Sequence, residues 1–146
     1  MLSTTTQSQK AKRRLHQSGY KLTPQRLAIL RAVSGSGARL TPAMLCARFH
    51  RRGIRVSEAT VYRTLKLLSE VGLVCPVKSG RNVGYVSRPR GRHGHLICSE
   101  CGRVANFGVA SMSRLEKELA AETGFIISER HLDFYGRCPA CIGGSR

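Results

Sequence analysis

Two short cysteine pairs constrain this chain more than any other feature. Cys98-Ser99-Glu100-Cys101 and Cys138-Pro139-Ala140-Cys141 are both C-x-x-C units. One such turn points two thiolates at a single ion, and two turns complete a tetrahedral four-sulfur zinc site. A closed site of this kind is structural, because no coordination position remains for a substrate. It would tie the C-terminal end to the first strand of a segment that begins near His93, and so staple a core too small to be safe alone. Two other chemistries use similar cysteines. Cys-Pro-x-Cys can be a redox dithiol, normally where it opens a helix after a strand, whereas here it lies at the end of the chain with almost nothing following. An iron–sulfur cluster is the other. Cys46, beside an apolar helix stripe, and Cys75, in a strand, read as small core residues.

The compartment bears on that choice. No stretch is long and apolar enough to cross a membrane, and Met1 to Arg14 is polar and then basic with no apolar segment after it. A cytoplasmic, reducing setting is therefore expected, where cysteines serve metals more often than disulfides. The 146 residues are 41% hydrophobic, enough for one ordinary domain or two small lobes, and with no tryptophan the core must be mostly aliphatic.

Charge divides the chain. Residues 1–87 hold 16 basic and 2 acidic side chains, whereas 88–146 hold 9 and 6. A first half this basic suits a polyanion.

Helix signals fall in the same half. Residues 1–14 read as a flexible basic arm. Thr23-Pro24 starts a helix carrying Leu27, Leu30 and Val33, closed by Ser34-Gly35-Ser36-Gly37. Thr41-Pro42 starts a second, with Leu45 and Phe49, closed by Arg51-Arg52-Gly53. Ser57 caps a third, from Glu58 to about Val71, with Val61, Leu65 and Leu68 as its buried stripe and Gly72 after its end. Two short strands, 73–77 and 83–86, flank a Gly-containing turn and read as a hairpin. Three helices and a hairpin are the order of a winged helix-turn-helix, here over 15–87. Residues 88–92 read as a hinge. A second lobe over 93–146 reads strand (96–98), strand (104–107), helix (111–123) and two further strands near 125–128 and 131–135. The expected fold class is α+β: an N-terminal winged helix-turn-helix and a small C-terminal α/β domain with a four-cysteine zinc site.

The third helix is the candidate reading element. Its remaining face shows Glu58, Tyr62, Arg63 and Lys66. A helix in the major groove needs cationic and hydrogen-bonding side chains near its N-terminal end. Arg63 suits a bidentate contact to guanine, and Tyr62 a thymine methyl or a phosphate. Ser57 and Thr60 are candidate phosphate donors. Lys21, just before the first helix, could enter a minor groove, and Arg26, on that helix, could bind phosphate. Lys78 and Arg81 lie at the wing tip. No nucleophile with a base at a recognisable spacing and no phosphate-binding glycine loop is evident, so neither an enzyme nor a small-molecule substrate is expected.

Four segments in register carry a family likeness. Tyr20-Lys21-Leu22-Thr23-Pro24-Gln25-Arg26, Ala59-Thr60-Val61-Tyr62-Arg63-Thr64-Leu65, His95-Leu96-Ile97-Cys98-x-x-Cys101-Gly102 and Tyr135-Gly136-x-Cys138-Pro139-x-Cys141 resemble the ferric uptake regulator family, over roughly 19 to 141. The resemblance implies a homodimer that binds AT-rich inverted repeats in double-stranded DNA and represses metal-homeostasis or stress genes. It implies structural zinc on Cys98, Cys101, Cys138 and Cys141, major-groove contacts from Tyr62 and Arg63, and a minor-groove contact from Lys21.

One part of the family pattern is missing. The usual sensing site takes a histidine before the second helix, a glutamate at the end of the wing and the two histidines of an H-x-H. These positions read Arg39, Val86, His93 and His95. A second family site reads Arg92, Gly94, Ser113 and Arg130. Arginines repel a divalent cation. His93 and His95, two apart on a strand, share a face and could hold a second divalent metal, with Glu100, Glu116 or Asp133 as substitute carboxylates. The metal switch is therefore expected to be lost or changed. DNA binding would then need only the structural zinc, or would answer to another signal or to a metal held by substitute ligands. The reading from a different class is a zinc-ribbon RNA-binding or adaptor module.

Overall fold

The computed structural model describes residues 4–79, 81–89, 93–127 and 132–144, with the side chains of 4, 5 and 109 left aside. The chain divides into two compact units, Met1–Arg88 and Pro89–Arg146. Among the described residues no helix is long and apolar enough to cross a membrane.

The first unit runs α1 (Thr4–Gln17), α2 (Pro24–Ser34), α3 (Pro42–His50), α4 (Glu58–Glu70), β1 (Val74–Ser79) and β2 (Asn82–Ser87). Three caps set the helix starts. The side chains of Thr23, Thr41 and Ser57 accept from the backbone N–H groups of Arg26, Met44 and Thr60 at 3.3, 3.2 and 3.2 Å. Pro24 and Pro42 fill positions whose N–H would be unsatisfied anyway. Gly72, at φ +69°, lets the chain leave α4 in the left-handed region. β1 and β2 pair antiparallel from Val74↔Ser87 to Ser79↔Asn82, and a Leu40↔Tyr85 bridge joins the α2–α3 connection to the wing. Val61, Leu65 and Leu68 are fully buried beside Ile29, Leu30, Val33 and Leu45. Burial of each such side chain contributes about 1.5–3 kcal/mol. Thr64 and Leu67 are buried as well, so the core face of α4 is wider than its i, i+4, i+7 stripe.

The basic arm expected over 1–14 is corrected from Thr4 onward: it is helical. Ala11 and Leu15, one turn apart, are fully buried. Arg14 reaches the C-terminal end of α4, donating to the Val71 carbonyl at 3.3 Å and to the Gly72 carbonyl. A guanidinium there satisfies orphan carbonyls and complements the helix dipole.

The second unit runs β3 (Gly94–Cys98), β4 (Val104–Phe107), α5 (Val109–Thr123), β5 (Asp133–Gly136) and α6 (Pro139–Ile142). Its sheet has the order β4-β3-β5, with β4 antiparallel and β5 parallel to β3. α5 supplies the crossover a parallel pair requires, and Gly124 at φ +72° ends it. The strand expected at 125–128 does not form over its described residues, since 125–127 lie in no strand, and Ser128 falls outside the described residues. His131 and residues 90–92 of the expected hinge also fall outside them.

Candidate nucleic-acid interface and metal centres

α4 turns one face to its core and the other outward. Tyr62, Arg63 and Lys66 are exposed, Tyr62 by 53%. Arg63 and Lys66 stand three apart, and Tyr62 and Lys66 four apart, so the three share one side of the helix. Ser57 and Thr60 stand at its positive end, their hydroxyl oxygens 2.8 Å apart. One hydroxyl proton lies in that bond, which leaves the other to donate outward. Lys21 is exposed. Arg26 is half-buried: it donates to the Lys21 carbonyl at 2.5 Å, and its guanidinium lies 5.7 Å from the Tyr20 ring centre. It therefore braces the segment that carries Lys21, a role the sequence reading missed. Lys78 and Arg81 are exposed near the end of the wing.

The four cysteines of the second unit converge. β5 lies beside β3 in the register Cys98↔Gly136, and the Ser99 N–H donates to the Gly136 carbonyl at 2.8 Å, which brings the two C-x-x-C turns together. The four sulfurs all lie within 4.8 Å of one another, with Cys98–Cys141 and Cys101–Cys138 each at 3.7 Å. A tetrahedron of Zn–S bonds of about 2.3 Å needs sulfurs roughly 3.8 Å apart, so the donor set fits zinc. N–H donation from the backbone of Cys101 and Cys138 holds the Cys98 thiol down at about 6, and Cys138 is likewise lowered by the backbone of Cys141. Cys141 is raised, chiefly by its hydrogen bond with Cys138, which leaves it carrying a proton that a metal would displace. Cys138 does open a helix after a strand, but one of only four residues. The gathering of four sulfurs, more than the position of one pair, marks the cluster as a metal centre. Arg137 links the two turns, with Nε 2.6 Å from Glu100 and Nη2 donating to the Cys141 carbonyl at 3.0 Å.

Cys46 and Cys75 are both buried. Cys46 belongs to the first unit's core, and burial, then the nearby Glu58 charge, pushes its thiol up.

His93 and His95 are buried, with ring centres 5.1 Å apart and planes at 72°. Asp133 sits 2.8 Å from His95 Nδ1. A carboxylate on one ring nitrogen fixes the tautomer and turns the other toward a ligand position. Asp133 is thus an orienting partner, and Glu100 is engaged by Arg137.

Three of the positions expected to depart from the family's sensing sites, Arg39, Val86 and Gly94, are packed into the structure. Arg39 lies across Gly84 and donates to the Asn82 carbonyl at 3.4 Å, and a Cβ at Gly84 would overlap the Arg39 stem. Val86 is a buried strand residue. At Gly94 a Cβ would collide with the Phe107 ring and the Leu132 carbonyl, so there is no room for an aspartate. Ser113 is half-buried on α5. Arg92 and Arg130 lie outside the described residues. Gly94→Ala should cost about 1–3 kcal/mol of overpacking, read as a lower thermal midpoint. An unchanged midpoint would mean that Phe107 moves aside freely.

Comparison with known proteins agrees with this geometry. The model of the ferric uptake regulator family matches residues 17–135. The ferric uptake regulation protein of Bacillus subtilis (strain 168) is 34% identical over 137 residues, which span 90% of this chain and 92% of that protein. The peroxide operon regulator of the same organism is 32% identical over 127 residues, 87% of this chain and 88% of that protein. A solved zinc uptake regulator complexed with zinc and DNA is 28% identical, with a TM-score of 0.71 over 99% of this chain and 98% of its own.

Proposed function

The chain belongs to the ferric uptake regulator family, and on that footing we propose that it is a homodimeric, cytoplasmic DNA-binding repressor of metal-homeostasis or stress genes, not an enzyme. The first unit is its reading head and the second its dimerisation lobe. The observation that carries the reading is α4: a capped helix, locked to its core by five side chains, that presents Tyr62, Arg63 and Lys66 outward beside a wing. Arg63 reads a base in the major groove and Tyr62 a thymine methyl or a phosphate. Ser57, Thr60 and Lys66 hold phosphates, Lys21 enters the minor groove, and Arg26 steadies it. An AT-rich inverted repeat suits two such heads related by a two-fold axis. The dimer reading is supported by Leu96 and Phe134, registered partners 46% and 48% exposed on one face of the second unit's sheet. Apolar surface of this kind marks a contact site.

Cys98, Cys101, Cys138 and Cys141 hold structural zinc. The regulatory response is rebuilt around His93 and His95. The family's carboxylate positions read Val86, Gly94 and Ser113, and with those hard oxygen ligands lost and the two imidazoles of His93 and His95 kept, the set favours zinc over manganese or ferrous iron. The test is fluorescence anisotropy on the protein's own promoter fragment. The protein would carry only cysteine-bound zinc, and each metal would be added in turn. Zinc alone should tighten binding at least tenfold, about 1.4 kcal/mol of coupling, and His95→Ala should abolish that gain. Specific binding indifferent to every metal would show that the switch is lost. An equal response to manganese would overturn the ligand argument.

A further inference from the structure

The turn between α3 and α4 carries a charge that no role above uses. Residues 48–55 read Arg-Phe-His-Arg-Arg-Gly-Ile-Arg. Arg51, Arg52 and Arg55 are all exposed, and among the described residues none is in an ion pair. Arg48 and His50 have a local explanation, since they sit in the last turn of α3, where cations suit the free carbonyls. That explanation stops at the helix end: Arg52 and Arg55 lie beyond it, and Arg51 is its cap. Acidic relief is scarce, because Glu58 and Glu70 are the sole acidic residues of 1–88. Three guanidinium groups within five residues repel one another unless a polyanion lies across them.

Position says which polyanion. Arg55 stands two residues before Ser57, the cap of the reading helix. The major groove is about 12 Å wide and a helix with its side chains about 10–12 Å across. A helix entering the groove by its N-terminal end therefore fills it, and the chain just before the cap meets the phosphate wall. Resting on the DNA-binding reading above, we propose that Arg51, Arg52 and Arg55 form a phosphate-binding lip that grips the duplex backbone beside α4 without reading sequence. Guanidinium forks suit phosphate oxygens, and such contacts position a reader while carrying no base information.

The lip makes a prediction that needs no operator. The full-length, zinc-loaded protein and its R51Q/R52Q/R55Q variant would be titrated with a short random-sequence duplex over a series of salt concentrations. Each lost phosphate contact should reduce the log–log salt slope by about 0.9. The glutamine variant should therefore lose roughly 2–3 from the slope and bind at least tenfold more weakly at physiological salt. The R51K/R52K/R55K variant keeps the charge and should keep most of the slope, which separates lost cations from a damaged fold. A slope and affinity equal to wild type in the glutamine variant overturn the lip and leave the DNA reading standing. An equal loss in the lysine variant overturns it too, by tracing the effect to structure. A wild-type chain that binds no duplex at any salt sinks the DNA reading, and the lip with it.

Discussion

Cys98→Ser should empty the metal centre, taking zinc from one ion per chain to none and the second unit's order with it. The expectation follows from where Cys98 sits. It ends β3, it receives the Cys138 N–H at 3.3 Å, and its sulfur is 3.7 Å from that of Cys141. Backbone N–H donation lowers its thiol below the ordinary range, which favours the thiolate a metal wants, and a serine hydroxyl offers no such anion. In zinc-finger peptides such sites supply about 10–16 kcal/mol at pH 7, as much as the whole stability of an ordinary domain, about 5–15 kcal/mol. The remaining core of this unit is thin: among its described residues the buried apolar side chains are Ile97, Cys98 and Met112. Zinc released to a chromophoric chelator, followed alongside circular dichroism, checks the point. Cys46→Ala is the control: it should lower the stability of the first unit and leave the zinc in place. Full zinc occupancy in Cys98→Ser would refute the four-sulfur assignment.

Arg63→Ala should weaken operator binding by about 1–3 kcal/mol, roughly 5- to 150-fold, and relax the preference at one base pair. Adding Tyr62→Ala should deepen the loss. Both side chains are exposed, so folding stability should stay within about 0.5 kcal/mol. Arg63→Lys should rescue little, because an ammonium cannot reproduce a two-pronged contact. Lys66→Ala should instead weaken all sequences alike and lower the salt slope by about 1. Competition binding against single-base operator variants separates these outcomes. Unaffected nucleic-acid binding in Arg63→Ala would favour the zinc-ribbon or adaptor reading.

What was legible in the sequence is what short-range chemistry determines. Thr23, Thr41 and Ser57 announce three helix starts because a cap is a contact across three residues. The two C-x-x-C units announce the metal centre because thiolate spacing within a turn is fixed. α1 was not legible: its polar, basic sequence has Ala11 and Leu15 as its buried residues, and Arg14 finds its partners at Val71 and Gly72. No local rule reports a contact over such a distance. The parallel pairing of β5 with β3 was hidden for the same reason, and with it the role of Asp133 as the partner of His95. The strand expected at 125–128 shows the converse error: Phe125-Ile126-Ile127 has the composition of a strand, yet Phe125 and Ile126 are exposed by 74% and 95%. Apolar residues alone do not make a strand without a neighbour to pair with.

The register of β5 on β3 also orders events during synthesis. Cys98 and Cys138 are 40 residues apart, so the metal centre cannot close until Cys138 and Cys141 have left the ribosome. The first unit waits for nothing of the kind, since its core is drawn from Ala11 to Tyr85. The reading head is therefore complete while the zinc lobe is still being made. A chain truncated between Arg88 and Cys138 would be released with its DNA-facing half assembled and its metal-dependent half unfinished.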